Sequence, residues 1–273
     1  MLVYPAQAAD TSTRILQGGL KGPAIVLIHG LSSRADRWVR NLDVLGAAGF
    51  RAYAMDLPGH GLAAKGGNFD YSAAGYSRWL EALLESENID RAVVVGTSFG
   101  GLIAAHYACD FPARVAGLMA VGAIGLVPAG LERRQFTMQW LGEMSRDAVA
   151  ARMRRGVADP ALITEELIEE DWRINNSAGA AEAFARLADY YRDQIDDDAA
   201  APRLAARSPR FPVKLVWGAL DKSVSTDYAK AARDQIPGAT LDFLDGCGHL
   251  PYWEDPETFN PLLIDFARHC LAA

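Results

Sequence analysis

The stretch VVVGTSFGGLIAAHYA, residues 93–108, carries three consecutive valines, one serine with a glycine two residues to either side, and then an apolar run free of turn residues. A short Val-rich run reads as a buried strand, and the run after it has the length and composition of a helix. Strand, Gly-x-Ser-x-Gly, helix is the order of a nucleophile elbow, in which the chain turns so sharply that the serine backbone is strained. Side chains at positions 96 and 100 would collide with neighbouring backbone, which accounts for Gly96 and Gly100. The turn lifts the Ser98 hydroxyl above the sheet edge, at a helix N-terminus that favours developing negative charge.

Working outward, similar apolar runs recur at 24–29 (AIVLIH), 51–56 (RAYAMD), 115–122 (VAGLMAVG), 213–218 (VKLVWG) and 240–245 (TLDFLD). Segments of helical period lie between several of them, as at 76–88 and 226–236. Alternating strand and helix predicts an α/β fold with a mostly parallel central sheet flanked by helices. The alternation stops after Leu126 and resumes near Phe211. The interval 127–206 is rich in Arg, Glu and Ala and has no convincing strand, so it is expected to be a helical lid inserted into a core domain of residues 1–126 and 207–273. Pro128, Pro202, Pro209 and Pro212 punctuate its ends, and the acidic run Asp196–Asp198 is expected to be a solvated turn.

A serine hydroxyl needs a base to become a nucleophile at neutral pH. Of five histidines, His249 lies in LDGCGHLPYWEDP, a glycine-rich loop between the last strand and the terminal helix. It is the expected base. The other four are assigned structural or surface places: His29 organises the loop after the first apolar run, His60 sits in the turn MDLPGHG, His106 packs along the elbow helix, and His269 is exposed. The carboxylate that orients the base is assigned to Asp221, which follows the strand and turn of VWGALD. Asp242 and Asp245 sit too close to the histidine loop. The turn LIHGLSS at 27–33 places the Leu31 N–H as one oxyanion donor, with the Phe99 N–H as the other.

Half the 273 residues are apolar and 22% are charged, enough for one large domain with a sizeable core. Net charge is −7 and no basic block is longer than a pair, so a nucleic-acid partner is not expected. Three cysteines without metal spacing fit a reducing compartment. The start MLVYPAQAADTSTRILQGG lacks signal-peptide character, and no apolar run has membrane-spanning length. A cytoplasmic enzyme is therefore expected, with a small-molecule substrate, no membrane association, and no metal or other cofactor, since no HExxH or paired-histidine pattern is present. A homodimer stays open.

In order along the chain, HGLSSRADRW, DLPGHG, GTSFGG, WGALD and GCGH resemble the α/β-hydrolase superfamily over nearly its whole length, the lid excepted. The resemblance implies the α/β-hydrolase fold and a Ser98–His249–Asp221 triad acting through an acyl-serine. Within the superfamily, ITEELIEEDW, AVGAIGL and GCGHLPYWEDPETFN are similar to segments of the hydrolases that cleave carbon–carbon bonds of ring-fission products. The chain departs from those at three positions that resemblance places on a dienoate substrate. Leu31-Ser32-Ser33 replaces a glycine-rich loop, Asp171 replaces an arginine before Trp172, and Leu250 replaces a tryptophan. Carboxylesterases and lactonases share the other motifs equally. The leading expectation is an esterase of small acyl substrates; carbon–carbon or lactone hydrolysis is the alternative, and a triad-bearing ligand receptor a further one. Substrate contacts are expected from Arg133, Arg134, Trp140, Trp172 and Leu250, with Arg152, Arg154 and Arg155 as further cations able to grip a carboxylate.

Overall fold

The computed structural model describes residues 1–207 and 210–272; Pro209, one of the punctuating prolines, lies outside them. Strands β1 (Leu2–Ala8), β2 (Thr11–Gly18), β3 (Ala24–Ile28), β4 (Arg51–Met55), β5 (Ala92–Thr97), β6 (Val115–Val121), β7 (Val213–Gly218) and β8 (Thr240–Leu244) form one sheet in the order β1-β2-β4-β3-β5-β6-β7-β8. From β4 to β8 every pairing is parallel, whereas β1 and β2 join as an antiparallel extension. That extension is not signalled by the sequence. β1 is largely exposed and its alternation is shallow, so it lacks the continuous apolar run that marks the buried strands.

β3, β5 and β6 are buried at every residue, as their Val, Ile and Leu content requires when helices cover both faces. Helices α1 (Val39–Ala47), α2 (Ala73–Ser86) and α3 (Phe99–Asp110) follow β3, β4 and β5. All of α3 from Phe99 to Cys109 is buried, so this helix is apolar around its whole circumference rather than along one stripe. Register aligns Gly96 with Ile28 on one side and with Ala120 on the other, bringing the carboxyl ends of three central strands to one edge. Ligands of open α/β sheets bind at that edge.

Between β6 and β7 lie five helices among the described residues: α4 (Leu131–Gly142), α5 (Arg146–Arg155), α6 (Glu165–Asn175), α7 (Ala180–Asp193) and α8 (Ala200–Arg207). Ser145 and Thr164 cap α5 and α6 by accepting from the N–H three residues on. The two ends of the interval meet, because the Ala200 and Ala201 N–H groups donate to the carbonyls of Gly125 and Leu126 at 2.9 and 2.8 Å. The acidic run does more than face solvent. Asp196 accepts from the Ala129 N–H at 2.6 Å and pairs with Arg134, and Asp198 accepts from the Tyr190 hydroxyl at 2.9 Å. These contacts fasten the start of α4 to the end of α7. Beyond β7 follow α9 (Thr226–Gln235), the short α10 (Pro251–Glu254) and α11 (Pro256–Ala272). No helix of the described residues is long and apolar enough to cross a membrane.

Candidate active site

Ser98 has φ +53° and ψ −121°, the left-handed side of backbone space that a non-glycine residue occupies only at a cost. Its N–H donates to the Val121 carbonyl at 2.9 Å, and its carbonyl accepts from Gly101 at 2.9 Å and Ile124 at 3.2 Å, so both flanks hold the strained turn. A Cβ at Gly96 would overlap the Gly100 carbonyl, and one at Gly100 would overlap those of His29 and Ile28. The small residues are thus required by backbone crossing backbone.

His249 follows β8, and its Nδ1 lies 2.8 Å from Asp221 Oδ2. The Asp221 side chain is fully buried, and its other oxygen accepts from the Ser223 and Val224 N–H groups at 2.7 and 2.9 Å. Those two bonds fix the carboxylate, the carboxylate fixes the imidazole, and the imidazole rests on Gly122, which has no side chain to displace it. Asp242 instead pairs with Lys214 at 2.6 Å across β7 and β8, and Asp245 is exposed, so neither competes. Ser98 and His249 line the same cavity without a direct hydrogen bond between them. The His249–Asp221 contact is already formed.

The loop after β3 closes on the elbow: a Cβ at Gly30 would stand 2.9 Å from the Ser98 Cβ. His29 shapes this loop. Its Nε2 accepts from the Leu57 N–H at 2.9 Å, which leaves Nδ1 to carry the proton and donate to the Gly30 carbonyl at 2.7 Å. Complete burial holds its pKa down to about 4, and that of the adjacent His60 to about 3, so both rings are neutral structural pieces. His106 is packed, with Nε2 on the Asp198 carbonyl at 2.7 Å and Nδ1 facing Arg203, while His269 is exposed. The Leu31 and Phe99 N–H groups, assigned as oxyanion donors, have no acceptor among the described residues.

Of the residues expected to touch substrate, Arg133, Arg134, Trp140 and Leu250 line the cavity with Ser98. Trp172 does not. On α6 the buried positions are Ile168, Asp171 and Asn175, spaced by three and four residues, and the half-buried Trp172 sits at the edge of that face, about 100° round the helix from Asp171. Arg152 and Arg155 also line the cavity, whereas Arg154 faces outward onto Glu165 at 3.1 Å.

Asp171, where the resemblance led to an arginine, sits between two guanidinium groups. It pairs with Arg34 and, at 2.5 Å, with Arg37. Arg34 continues to Asp36 and Glu170, and Arg14 bridges Asp36 to the buried Asp56. Asp56 in turn accepts from the Ala35 N–H at 2.8 Å and the Leu62 N–H at 2.9 Å. Asn175 adds a bond to the Ser32 carbonyl at 3.2 Å. The helical layer is therefore bolted to the loop that carries Leu31. Sequence reasoning misses Arg34, Arg37, Asn175 and Tyr191 in the cavity region. The buried face of α6 was accessible from helical spacing, but the partners of Asp171 lie 134 and 137 residues away.

Residues 23–256 match the family model described as alpha/beta hydrolase fold, and the chain belongs to that family. It is 30% identical over 269 residues to the dihydrolipoyllysine-residue acetyltransferase component of the acetoin cleaving system of Pseudomonas putida, spanning 96% of this chain and 69% of that protein. It is 28% identical over 264 residues to a 2-hydroxy-6-oxononadienedioate/2-hydroxy-6-oxononatrienedioate hydrolase of Burkholderia vietnamiensis, spanning 92% of this chain and 88% of the relative. Among solved structures it is similar to a meta-cleavage product hydrolase from Pseudomonas fluorescens, with a TM-score of 0.87, 23% identity and 97% of each chain covered. That last likeness is one of fold.

Proposed function

We propose that the protein is a cofactor-independent serine hydrolase that cleaves a small carboxylic ester or related acyl compound. The observation that carries the reading is the buried, doubly anchored Asp221 held against His249 in the cavity that the strained Ser98 enters. Ser98 Oγ attacks the acyl carbon while His249 Nε2 takes its proton, and Asp221 stabilises the imidazolium. The carbonyl oxygen becomes an oxyanion held by the Leu31 and Phe99 N–H groups. Collapse breaks the bond to the leaving oxygen, which receives the proton from His249. Water, deprotonated by His249, then attacks the acyl-serine and restores the hydroxyl. The interval 127–206 acts as the lid, supplying one wall of the cavity and excluding water as substrate binds.

A second reading is carbon–carbon bond hydrolysis, favoured by the relative from Burkholderia vietnamiensis whose name describes a dienedioate substrate. Against it stands Asp171, an acid already committed to Arg34 and Arg37 at the place where an arginine was looked for. A panel of short p-nitrophenyl esters, lactones and a ring-fission dienoate, with Ser98→Ala as control, separates the two. Ester turnover above dienoate turnover is expected; the reverse order transfers the assignment to carbon–carbon cleavage, and full ester activity in Ser98→Ala ends the serine mechanism.

A further inference from the structure

The cavity that receives Ser98 and His249 is lined by five arginines and one acid, Asp171, and four of the five arginines are engaged. Arg37 is held by Asp171 at 2.5 Å, and Arg134 pairs with Asp196 at 3.2 Å and donates to the Arg192 carbonyl at 2.8 Å. Arg152 donates to the Glu143 carbonyl at 2.9 Å and stacks 4.7 Å above Trp140, and Arg155 donates to the Lys222 carbonyl at 2.9 Å. The guanidinium of Arg133, on α4, has neither a carboxylate nor a carbonyl partner among the described residues. It is drawn partly out of water, and burial lowers its pKa from the ordinary arginine value.

A second unpartnered donor lines the same cavity. Tyr191, on α7, is buried, its hydroxyl has no hydrogen-bond partner among the described residues, and its ring lies 5.9 Å from that of Phe99, the residue after the elbow serine. Burial raises the pKa of this hydroxyl well above the ordinary value, so it keeps its proton and can only gain by donating to an acceptor. A buried hydroxyl without an acceptor and a guanidinium without an anion are both costly. An oxygen anion would satisfy them together.

We infer that Arg133 and Tyr191 form a carboxylate subsite, so that the preferred substrates are acyl compounds carrying one carboxylate, such as half-esters of short dicarboxylic acids, rather than neutral esters. This deepens the acyl-hydrolase reading and depends on it for the scissile bond; the anion subsite itself stands on the cavity alone. Binding is therefore read separately from turnover. In the Ser98→Ala background, monomethyl glutarate and its neutral counterpart dimethyl glutarate are titrated calorimetrically. The half-ester should bind at least about thirtyfold more tightly, and Arg133→Met should remove most of that preference, with Tyr191→Phe reducing it about fivefold. Arg133→Lys, which keeps the charge, should recover part of the loss, and this recovery guards against a folding defect in Arg133→Met. Equal binding of the two esters, or a preference untouched by Arg133→Met, overturns the subsite. Turnover of mono-p-nitrophenyl glutarate against p-nitrophenyl butyrate then tests the chemistry. Tight half-ester binding without cleavage of either compound would leave the subsite standing and remove the acyl-hydrolase reading.

Discussion

The elbow at the end of β5 and the helical layer that faces it are held in place by different physics. Around Ser98 the work is done by backbone: fully buried Val, Ile and Leu strands, glycines where carbonyls cross, and three main-chain hydrogen bonds on the serine itself. No ionised side chain takes part in that turn. Where α6 meets the loop after β3, the contact is ionic. Asp171 sits between Arg34 and Arg37, with the Arg34 side chain 3% and the Asp171 side chain 8% exposed. Apolar burial is non-directional and fixes the position of Ser98 whatever the substrate. Buried ion pairs contribute little net stability but penalise the loss of either partner, so they select one arrangement of the layer over others. A fold of this kind can keep its chemistry while its cover is re-specified by a few charges.

The largest effect expected from breaking this comparison falls on the elbow side, and it is on activity rather than stability. Ser98→Ala should lower kcat/KM for a short p-nitrophenyl ester by about four to six orders of magnitude. Ser98→Gly should do the same while raising stability by about 1 kcal/mol in urea titrations, because glycine adopts φ +53° without strain. A serine variant that lost activity and stability together would show that the turn is not strained.

On the layer side the order reverses. Asp171→Ala leaves Arg37 without its acid and deprives Arg34 of one of its three, a loss of about 3 kcal/mol or more by the usual cost of an orphaned buried charge. Hydrogen exchange should show α6 opening while β3, β5 and β6 stay protected. Uniform loss of protection across the sheet would mean that the two regions are a single cooperative unit.

The loop joining the regions is sensitive to acid through His29 and His60. Both have folded pKa values well below the ordinary 6.5, at about 4 and about 3, so the folded state binds fewer protons than the unfolded one. Their contribution is fully present above pH 6.5 and is lost as pH falls from there towards those lower values. The slope is about 1.4 kcal/mol per pH unit for each ring between pH 6 and 4.5. His60→Leu should flatten the dependence of the urea midpoint on pH in that window by about one ring's share. An unchanged slope would place the proton uptake elsewhere.

Much of this was legible beforehand, and the failures have a common cause. Apolar runs mark β3 to β8 to within about a residue or two, most plainly at β3, β5 and β6, which are buried on both faces. Ser98, Asp221 and His249 are each announced by a local pattern of turn glycines after a strand. β1 and β2 escape because a half-exposed antiparallel pair has no comparable run, and its partner strand β4 lies some forty residues on. The ionic seam escapes for the same reason at longer range, since nothing near Asp171 in the chain indicates Arg34 or Arg37. Local conformation writes itself into neighbouring residues; pairing across the fold does not.

The smallest effect concerns the two tryptophans of the helical interval, Trp140 and Trp172, that the sequence alone treats alike. Trp140 lines the cavity and carries Arg152 stacked 4.7 Å above its ring, where burial pulls the guanidinium down to about 10. Trp172 is half-buried at the edge of the buried face of α6 and does not line the cavity. Trp140→Leu removes an aromatic wall whose apolar contact with a bound substrate is worth about 1 to 2 kcal/mol, so KM for a small ester should rise roughly five- to thirtyfold with kcat less affected. Trp172→Leu should leave KM within about twofold, since its ring is not a cavity wall and scattered surface substitutions usually cost little. Equal KM changes in the two variants would mean that α6 rotates inward when substrate binds, and that the ionic seam at Asp171 is a hinge rather than a bolt.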